Sequence, residues 1–380
     1  MKRSVRMRKI LLMMVIALAA ALVFAACKDK DKVMTWTAAE GSAFGELYIN
    51  AVAYGGGRFV AAGDVGAMAY STDGAKWTAV TGSAAWDYTD ASRGDTYTNT
   101  AGIYAVAYGN KRFVAVGDRG KIAYSDDGAH WTAAADSAFP ATYTNGDWEL
   151  SYAIYGIAYG GGKWVAGGDY GYMAYSADNG AHWTAVEDSP FGGNTIFAIA
   201  YGGGKFVAGG TVGKIAYSKD GVNWTAAADN AIRQYATVNN GMWVPSIFAV
   251  AYGGGKFVAV GGLGSIAHSK DGATWTAAAD SAIWEYEDTD TGNGPLSSDI
   301  NGIAYGGGRF VAVSGSGKTA YSADGASWTA AADSAAWEFA DILVFGGESI
   351  TTADINAVAY GNKKFAAVGV GGKIAHADWK

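Results

Sequence analysis

The triplet Ala-Tyr-Gly occurs seven times along the chain, with tyrosines at Tyr54, Tyr108, Tyr159, Tyr201, Tyr252, Tyr305 and Tyr360, separated by 54, 51, 42, 51, 53 and 55 residues. Such self-similarity makes one supersecondary unit the building block and overrides the two or three compact domains that 380 residues would otherwise suggest. Each copy reads approximately Ile-x-Ala-Val-Ala-Tyr-Gly-Gly-Gly-Lys-Phe-Val-Ala-Val-Gly-x-x-Gly-Lys-Ile-Ala-Tyr-Ser-x-Asp-Gly-x-x-Trp-Thr-Ala. Short apolar runs broken by turn residues predict four strands per copy. In the fifth copy they are strand A at Phe248–Tyr252, B at Lys256–Val260, C at Ser265–Ser269 and D at Trp275–Ala278. The A–B turn is Gly-Gly-Gly in five copies and Gly-Asn-Lys in two, residues that tolerate the positive φ of tight hairpins.

A period near 50 with four strand signals predicts an all-β fold, a seven-bladed β-propeller of four-stranded antiparallel blades. The last copy stops at Ala375–Lys380, before any Trp-Thr strand, while Thr35-Trp36-Thr37-Ala38-Ala39 precedes the first full copy. The N-terminal segment is therefore expected to complete the last blade and close the ring, which removes an open sheet edge. Seven Trp-Thr strands result, at Trp36, Trp77, Trp131, Trp183, Trp224, Trp275 and Trp328, and they absorb half of the 14 tryptophans as structural residues.

Ahead of the repeats, residues 1–9 are basic, 10–26 are apolar, and Ala25-Ala26 precede the sole cysteine, Cys27. This pattern predicts an export signal over 1–26, whose apolar run of 17 residues is shorter than the roughly 20 a spanning helix needs. Phe24-Ala25-Ala26-Cys27 resembles a bacterial lipobox, although Phe stands where Leu is usual, and Lys28–Lys32 reads as a polar tether. Lipidation at Cys27, a tether over 27–32 and a propeller over 33–380 are the expected organisation, with cleavage near Ala25 and an idle thiol as the alternative. The expected location is the bacterial envelope, anchored to its membrane through lipid alone.

One cysteine excludes an internal disulfide framework, and four histidines leave little for metal binding, so no cofactor or metal is expected. Without the five basic residues of 1–26, the chain carries 23 Lys and Arg against 35 Asp and Glu, a balance of −12. Nucleic acid is excluded as a partner by that charge.

The C–D turn is Ser-x-Asp-Gly-x-x-Trp, with one longer version at Ser176-Ala177-Asp178-Asn179-Gly180-Ala181-His182-Trp183. That version resembles the Asp-box of sialidase-like, BNR-type propellers, and the resemblance covers residues 33 to 380. It implies a propeller whose aspartates (Asp73, Asp127, Asp178, Asp220, Asp271, Asp324) cap their own turns rather than act as acids. Activity does not follow from it, because the group includes sialidases, xyloglucan-cleaving glycosidases, sorting-receptor ectodomains and photosystem II assembly factors. A sialidase-like site would need three arginines. Arg58, Arg112 and Arg309 occupy a position that is basic in every copy, which leaves Arg93, Arg119 and Arg233. Loop acids such as Asp87, Glu149, Glu285 and Glu338 keep a glycosidase carboxylate pair open as an alternative.

The D–A connectors vary from copy to copy and carry Trp86, Trp148, Trp243, Trp284 and Trp337, mostly next to an acid and often a second aromatic, as at Tyr88 and Tyr286. Two readings are open: an aromatic-acidic binding face, or a packed cover over the ring. In the B–C loops, Asp64, Asp118 and Asp169 share one position in three successive copies, with Arg119 alongside. The expected function is a non-catalytic binding or scaffold lipoprotein for a protein or glycan partner. A glycoside hydrolase and an assembly factor for a membrane complex are the alternatives.

Overall fold

The computed structural model describes residues 34–379 except 42, 82–83, 91–96, 146–147, 229–235, 239–240, 279–280, 288–294, 333–334 and 338–353. The seven repeats form seven four-stranded antiparallel sheets. Blade 1 runs Ile49–Gly55 (strand A), Arg58–Gly63 (B), Met68–Ser71 (C) and Thr78–Ala79 (D). Blades 2 to 7 open with A strands at Ile103–Gly109, Ile154–Gly160, Ile196–Gly202, Ile247–Gly253, Ile300–Gly306 and Ile355–Gly361. Each A strand touches the next around the ring, and that of blade 7 touches that of blade 1.

The ring closes as expected. Met34–Ala38 pairs antiparallel with Ile374–Trp379 and becomes strand D of blade 7. In the other blades the strand-D tryptophan donates its indole N–H to the C–D turn, as Trp77 does to the Gly74 carbonyl at 3.0 Å. Blade 7 has no continuous C–D turn, and the Trp36 indole instead reaches the Thr319 hydroxyl of blade 6 at 3.1 Å.

Strand B is covered on both faces, with Phe59, Val60, Ala61 and Ala62 all fully buried, which explains its unbroken apolar sequence. The blades press together through a contact the turn chemistry conceals. The glycine that ends each strand A lies under the strand-A tyrosine of the following blade. A Cβ on Gly55 would sit 1.9 Å from Tyr108 Cγ, and the same relation runs around to Gly361 under Tyr54. These seven glycines serve blade spacing, whereas the two that follow, such as Gly56 and Gly57 (φ 55 and 83), serve the turn.

The C–D aspartates cap their turns as expected. Asp73 Oδ1 accepts from the N–H groups of Ala75 and Lys76, both at 2.8 Å, while Ser71 Oγ accepts from Gly74 N–H at 2.8 Å. The bond from Lys76, opposed by partial burial, holds the Asp73 carboxyl below its ordinary range. At Asp178, burial raises the pKa, but bonds from His182 and Ser176 prevail and bring it to about 2.

Some expectations change. In blade 5 strands A, B and C run Ile247–Gly253, Lys256–Gly261 and Ile266–Ser269, each within one residue of the expected ends, and strand D shortens to Thr276–Ala277 rather than Trp275–Ala278. Four connectors are not simple loops but carry two-stranded hairpins: Asp87–Asp90 with Tyr97–Thr100, Thr142–Asn145 with Trp148–Ser151, Ala236–Val238 with Gly241–Trp243, and Glu285–Glu287 with Pro295–Ser297.

Candidate functional site

The upper face, built from the B–C loops and the D–A connectors, surrounds the mouth of the axial channel. Strand A brings one side chain per blade to that mouth. In every blade the A–B register slips just after the first residue of strand A, so the second residue is an unpaired bulge. A bulge re-aims its side chain out of the alternating pattern. The seven bulge residues line a cavity of about 370 Å³. Tyr104, Tyr155, Phe197 and Phe248 form one arc, with successive ring centroids 5.1, 5.4 and 5.5 Å apart. Asn301, Asn356 and Asn50 form the other. Their Nδ2 groups donate to the next blade's carbonyl, to Ile355 O at 3.1 Å, Ile49 O at 3.0 Å and Ile103 O at 3.1 Å. These residues were missed in the sequence. The available signal was that they are the one freely varying position in an otherwise uniform strand A.

Asp64, Asp118 and Asp169 do converge on this mouth. Asp64 Oδ1 accepts from Asn50 Nδ2 at 3.0 Å. Asp118 Oδ1 accepts from the Arg119 N–H at 2.8 Å, and Asp169 accepts from Ala153 N–H at 2.9 Å and the Thr195 hydroxyl at 3.2 Å. Burial first, and then the charges of Asp118, Asp64 and Asp169, raise the pKa of the Tyr104 phenol. Burial raises the Asp169 carboxyl despite its hydrogen bonds. Two further carboxylates complete the rim. Blades 5 and 6 have Gly262 and Gly315 at the B–C position, and Asp299 and Asp354 from the following connectors fill the space, with Oδ1 atoms 3.6 and 3.7 Å from where a Cβ would stand. Asp299 Oδ1 even accepts the Leu263 N–H at 2.9 Å, the counterpart of the bond Asp118 makes to Arg119.

The aromatic connector residues divide differently. Trp86, Trp284 and Trp337 are 0, 0 and 2% exposed and plug the wedges between blades 1–2, 5–6 and 6–7. Phe44, Phe139 and Phe191 plug three other wedges. A Cβ on Gly66 would lie 3.0 Å from Trp86 Cβ, just as one on Gly120 would lie 3.0 Å from Phe139 Cβ. These three tryptophans therefore offer no ring face to a ligand. Burying them satisfies the wedge at a loss, since none of their indole N–H groups meets a hydrogen-bond partner among the described residues. Trp148, Trp243 and Tyr286 stand within the connector hairpins, opposite Asn145, Ala236 and Leu296. Tyr88 receives the Arg119 guanidinium 4.1 Å over its ring, so Arg119 has an aromatic partner in the connector. Cys27, Arg93, Arg233 and Glu338 lie outside the described residues.

The tips of the B–C loops carry an unforeseen feature. Val65, Arg119, Tyr170, Val212 and Leu263 occupy left-handed backbone, with φ between 48 and 56. Such a conformation costs about 1–2 kcal/mol for a non-glycine residue. Blade 7 places Gly371 (φ 61) in the equivalent turn. Among the described residues, the exposed large hydrophobic side chains are Leu47, Tyr48, Val65, Tyr170, Tyr172 and Val212, and all six stand on the upper face. Tyr152 joins Tyr170 and Tyr172, with centroids 5.5 and 5.2 Å away.

The lower face is uniform. Arg58, Arg112 and Arg309 lie over Tyr70, Tyr124 and Tyr321 of their own blades at 5.2, 4.3 and 5.6 Å. Lys205 and Lys256 reach the carbonyls of Asp271 and Asp324 in the next blade, each at 2.6 Å. The two lysines clasp neighbouring blades together, and among the described residues nothing gathers three arginines around one point there. The upper mouth, by contrast, combines aromatic faces, fixed acceptors and an apolar rim, which suits non-covalent recognition.

No family model matches the chain, and no curated protein matches it. Among solved structures it is similar to YCF48 from Cyanidioschyzon merolae, at 14% identity and a TM-score of 0.57, over 90% of this chain and 98% of that one. A YCF48 bound to D1 peptide is similar at 14% identity and 0.56, over 91% and 97%. Catalytically inactive virginiamycin B lyase from Staphylococcus aureus with quinupristin is similar at 10% identity and 0.59, over 91% and 99%. At these identities the likeness is one of fold.

Proposed function

We propose that this chain is a non-catalytic binding or scaffold protein whose upper face receives a protein partner. The carrying observation is the collection of exposed apolar and aromatic side chains on that face, several at loop tips whose backbone would be relaxed by glycine. Strain and exposed apolar area both oppose folding and solubility, and a partner that covers the tips accounts for both. The YCF48 structure bound to D1 peptide supports a polypeptide occupant over a glycan. The Ser-x-Asp-Gly-x-x-Trp turns support placing the chain among Asp-box, BNR-like propellers, and the Cys27 pattern supports export and lipid anchoring at the envelope.

A photoreactive amino acid at Tyr170 or Val212 is expected to cross-link a discrete partner in the cells that make the protein. The same probe at His130, on the lower face, is expected to give none. Adducts at His130 alone, or at neither tip, would overturn the reading. Cys27→Ser is expected to release the protein from membranes, and continued membrane fractionation would remove the lipid-anchor part.

A further inference from the structure

We propose that the axial mouth takes the basic side chain, Arg or Lys, of a protruding segment of the partner. The inference rests on the upper face being a protein-binding surface, and it adds what enters the cavity. The about 370 Å³ chamber has an aromatic wall of four consecutive rings. Such a wall attracts a cation through its π faces. On the opposite wall Asn301 and Asn356 each commit one Nδ2–H to a backbone carbonyl, and Asn50 commits both of its own, to Ile103 O and to Asp64. The carboxylates near this chamber suit a guest made only of donors, and arginine and lysine side chains are donor-only groups.

Charge selects the same guest. Asp64 and Asp118 each have one carboxylate oxygen bonded within the protein, and Asp299 and Asp354 extend the acidic rim on the far side. Three cations of the same loops have partners in the connectors. Lys214 Nζ donates to Phe191 O at 2.9 Å, Lys318 Nζ donates to Glu285 O, and Arg119 lies over Tyr88. Among the described residues the charge gathered at the mouth is thus negative, and an anionic or acceptor-rich guest would meet repulsion there.

The test uses the full chain and measures anisotropy of fluorescein-labelled hexa-arginine and hexaglutamate at 150 mM salt. Hexa-arginine is expected to bind and hexaglutamate not. Asp64→Asn with Asp118→Asn, which keeps the shape and the local acceptors, is expected to weaken binding about tenfold. Tyr155→Leu with Phe197→Leu, which changes no charge, is expected to weaken it by a similar factor. Unchanged affinity in either double variant, with unaltered melting, overturns the proposal, because generic attraction to an acidic protein would ignore the rings. Displacement by spermidine at lower concentration than by unlabelled hexa-arginine would also overturn it, in favour of a free polyamine. Should cross-linking at Tyr170 and Val212 persist while hexa-arginine fails to bind, the protein-binding face stands and only the basic occupant falls.

Discussion

Gly202→Ala tests whether tyrosine-on-glycine packing sets the blade spacing. Gly202 does not have left-handed backbone, so an alanine there meets only a steric penalty. Its Cβ would lie 2.0 Å from Cγ, 2.1 Å from Cδ1 and 2.5 Å from Cβ of Tyr252. Those atoms are the root of the ring and cannot swing clear, and the ring is backed by Phe257 at a centroid distance of 4.7 Å. Overpacking typically costs 1–3 kcal/mol, and a clash at the ring root belongs at the upper end, about 3 kcal/mol. Gly204→Ala is the control. Its φ is +78 and nothing lies within 4 Å, so it carries backbone strain alone, about 1 kcal/mol. Tyr252→Ala removes the obstacle, and the Gly202→Ala/Tyr252→Ala pair should be no less stable than Tyr252→Ala alone. The coupling in the cycle is then about −3 kcal/mol. Urea titration followed in parallel by tryptophan fluorescence and far-UV circular dichroism supplies the numbers. Additive effects, or equal costs at Gly202 and Gly204, would refute the argument.

Trp284→Phe is expected to be near neutral: the lost volume costs about 1 kcal/mol, and removing an unpaired buried N–H returns about as much. Trp284→Ala should cost about 3–5 kcal/mol, and urea midpoints distinguish the two. The C–D aspartates have lowered pKa values, so the stability they contribute is present above the ordinary carboxylate pKa of about 3.9 and is lost as pH falls through their folded values. Asp169 and Asp354, raised by burial, act with the opposite sign but are outnumbered. The urea midpoint should therefore hold to about pH 4 and fall towards pH 2, and a flat profile across that interval would contradict the capping account. Removal of residues 34–38 should strip blade 7 of its outer strand and the Trp36 bond to Thr319, lowering the melting temperature and broadening the transition. An unchanged melt would refute closure by that strand.

The ring was legible in the sequence because its signals are local and repeated seven times. Turn glycines, the Asp-capped turn and the orphan Trp-Thr segment each state their structure within a few residues. Features that depend on the neighbouring blade were not legible. Gly55, Gly56 and Gly57 look alike in the chain, yet the first is dictated by Tyr108 of another repeat and the others by φ. Trp86 beside Asp87 reads as a surface pair, but a short 3-10 turn over Ala84–Trp86 turns the indole inward while Asp87 begins a hairpin. The equivalence of Trp86, Phe139 and Phe191 is hidden because their connectors differ in length. Tyr104 and its counterparts were masked for another reason: strict alternation places them on a sheet face, and only the bulge redirects them to the axis.

The rim aspartates separate what the fold requires from what it does not. The B–C turn closes with a backbone bond between its first and fourth residues whatever the first side chain is, as in Lys121 N–H to Asp118 O at 3.1 Å, Lys214 N–H to Thr211 O at 3.2 Å and Lys373 N–H to Val370 O at 3.3 Å. Threonine and valine build that turn as well as aspartate does, so the turn alone sets no demand for charge. Yet where the first residue is Gly262 or Gly315, a carboxylate returns to the same place from the next connector, as Asp299 or Asp354. A rim that recovers its acid by a different covalent route in two blades, while Lys214 and Lys318 bond to connector carbonyls, has a charge pattern that the proposed cation at the mouth accounts for.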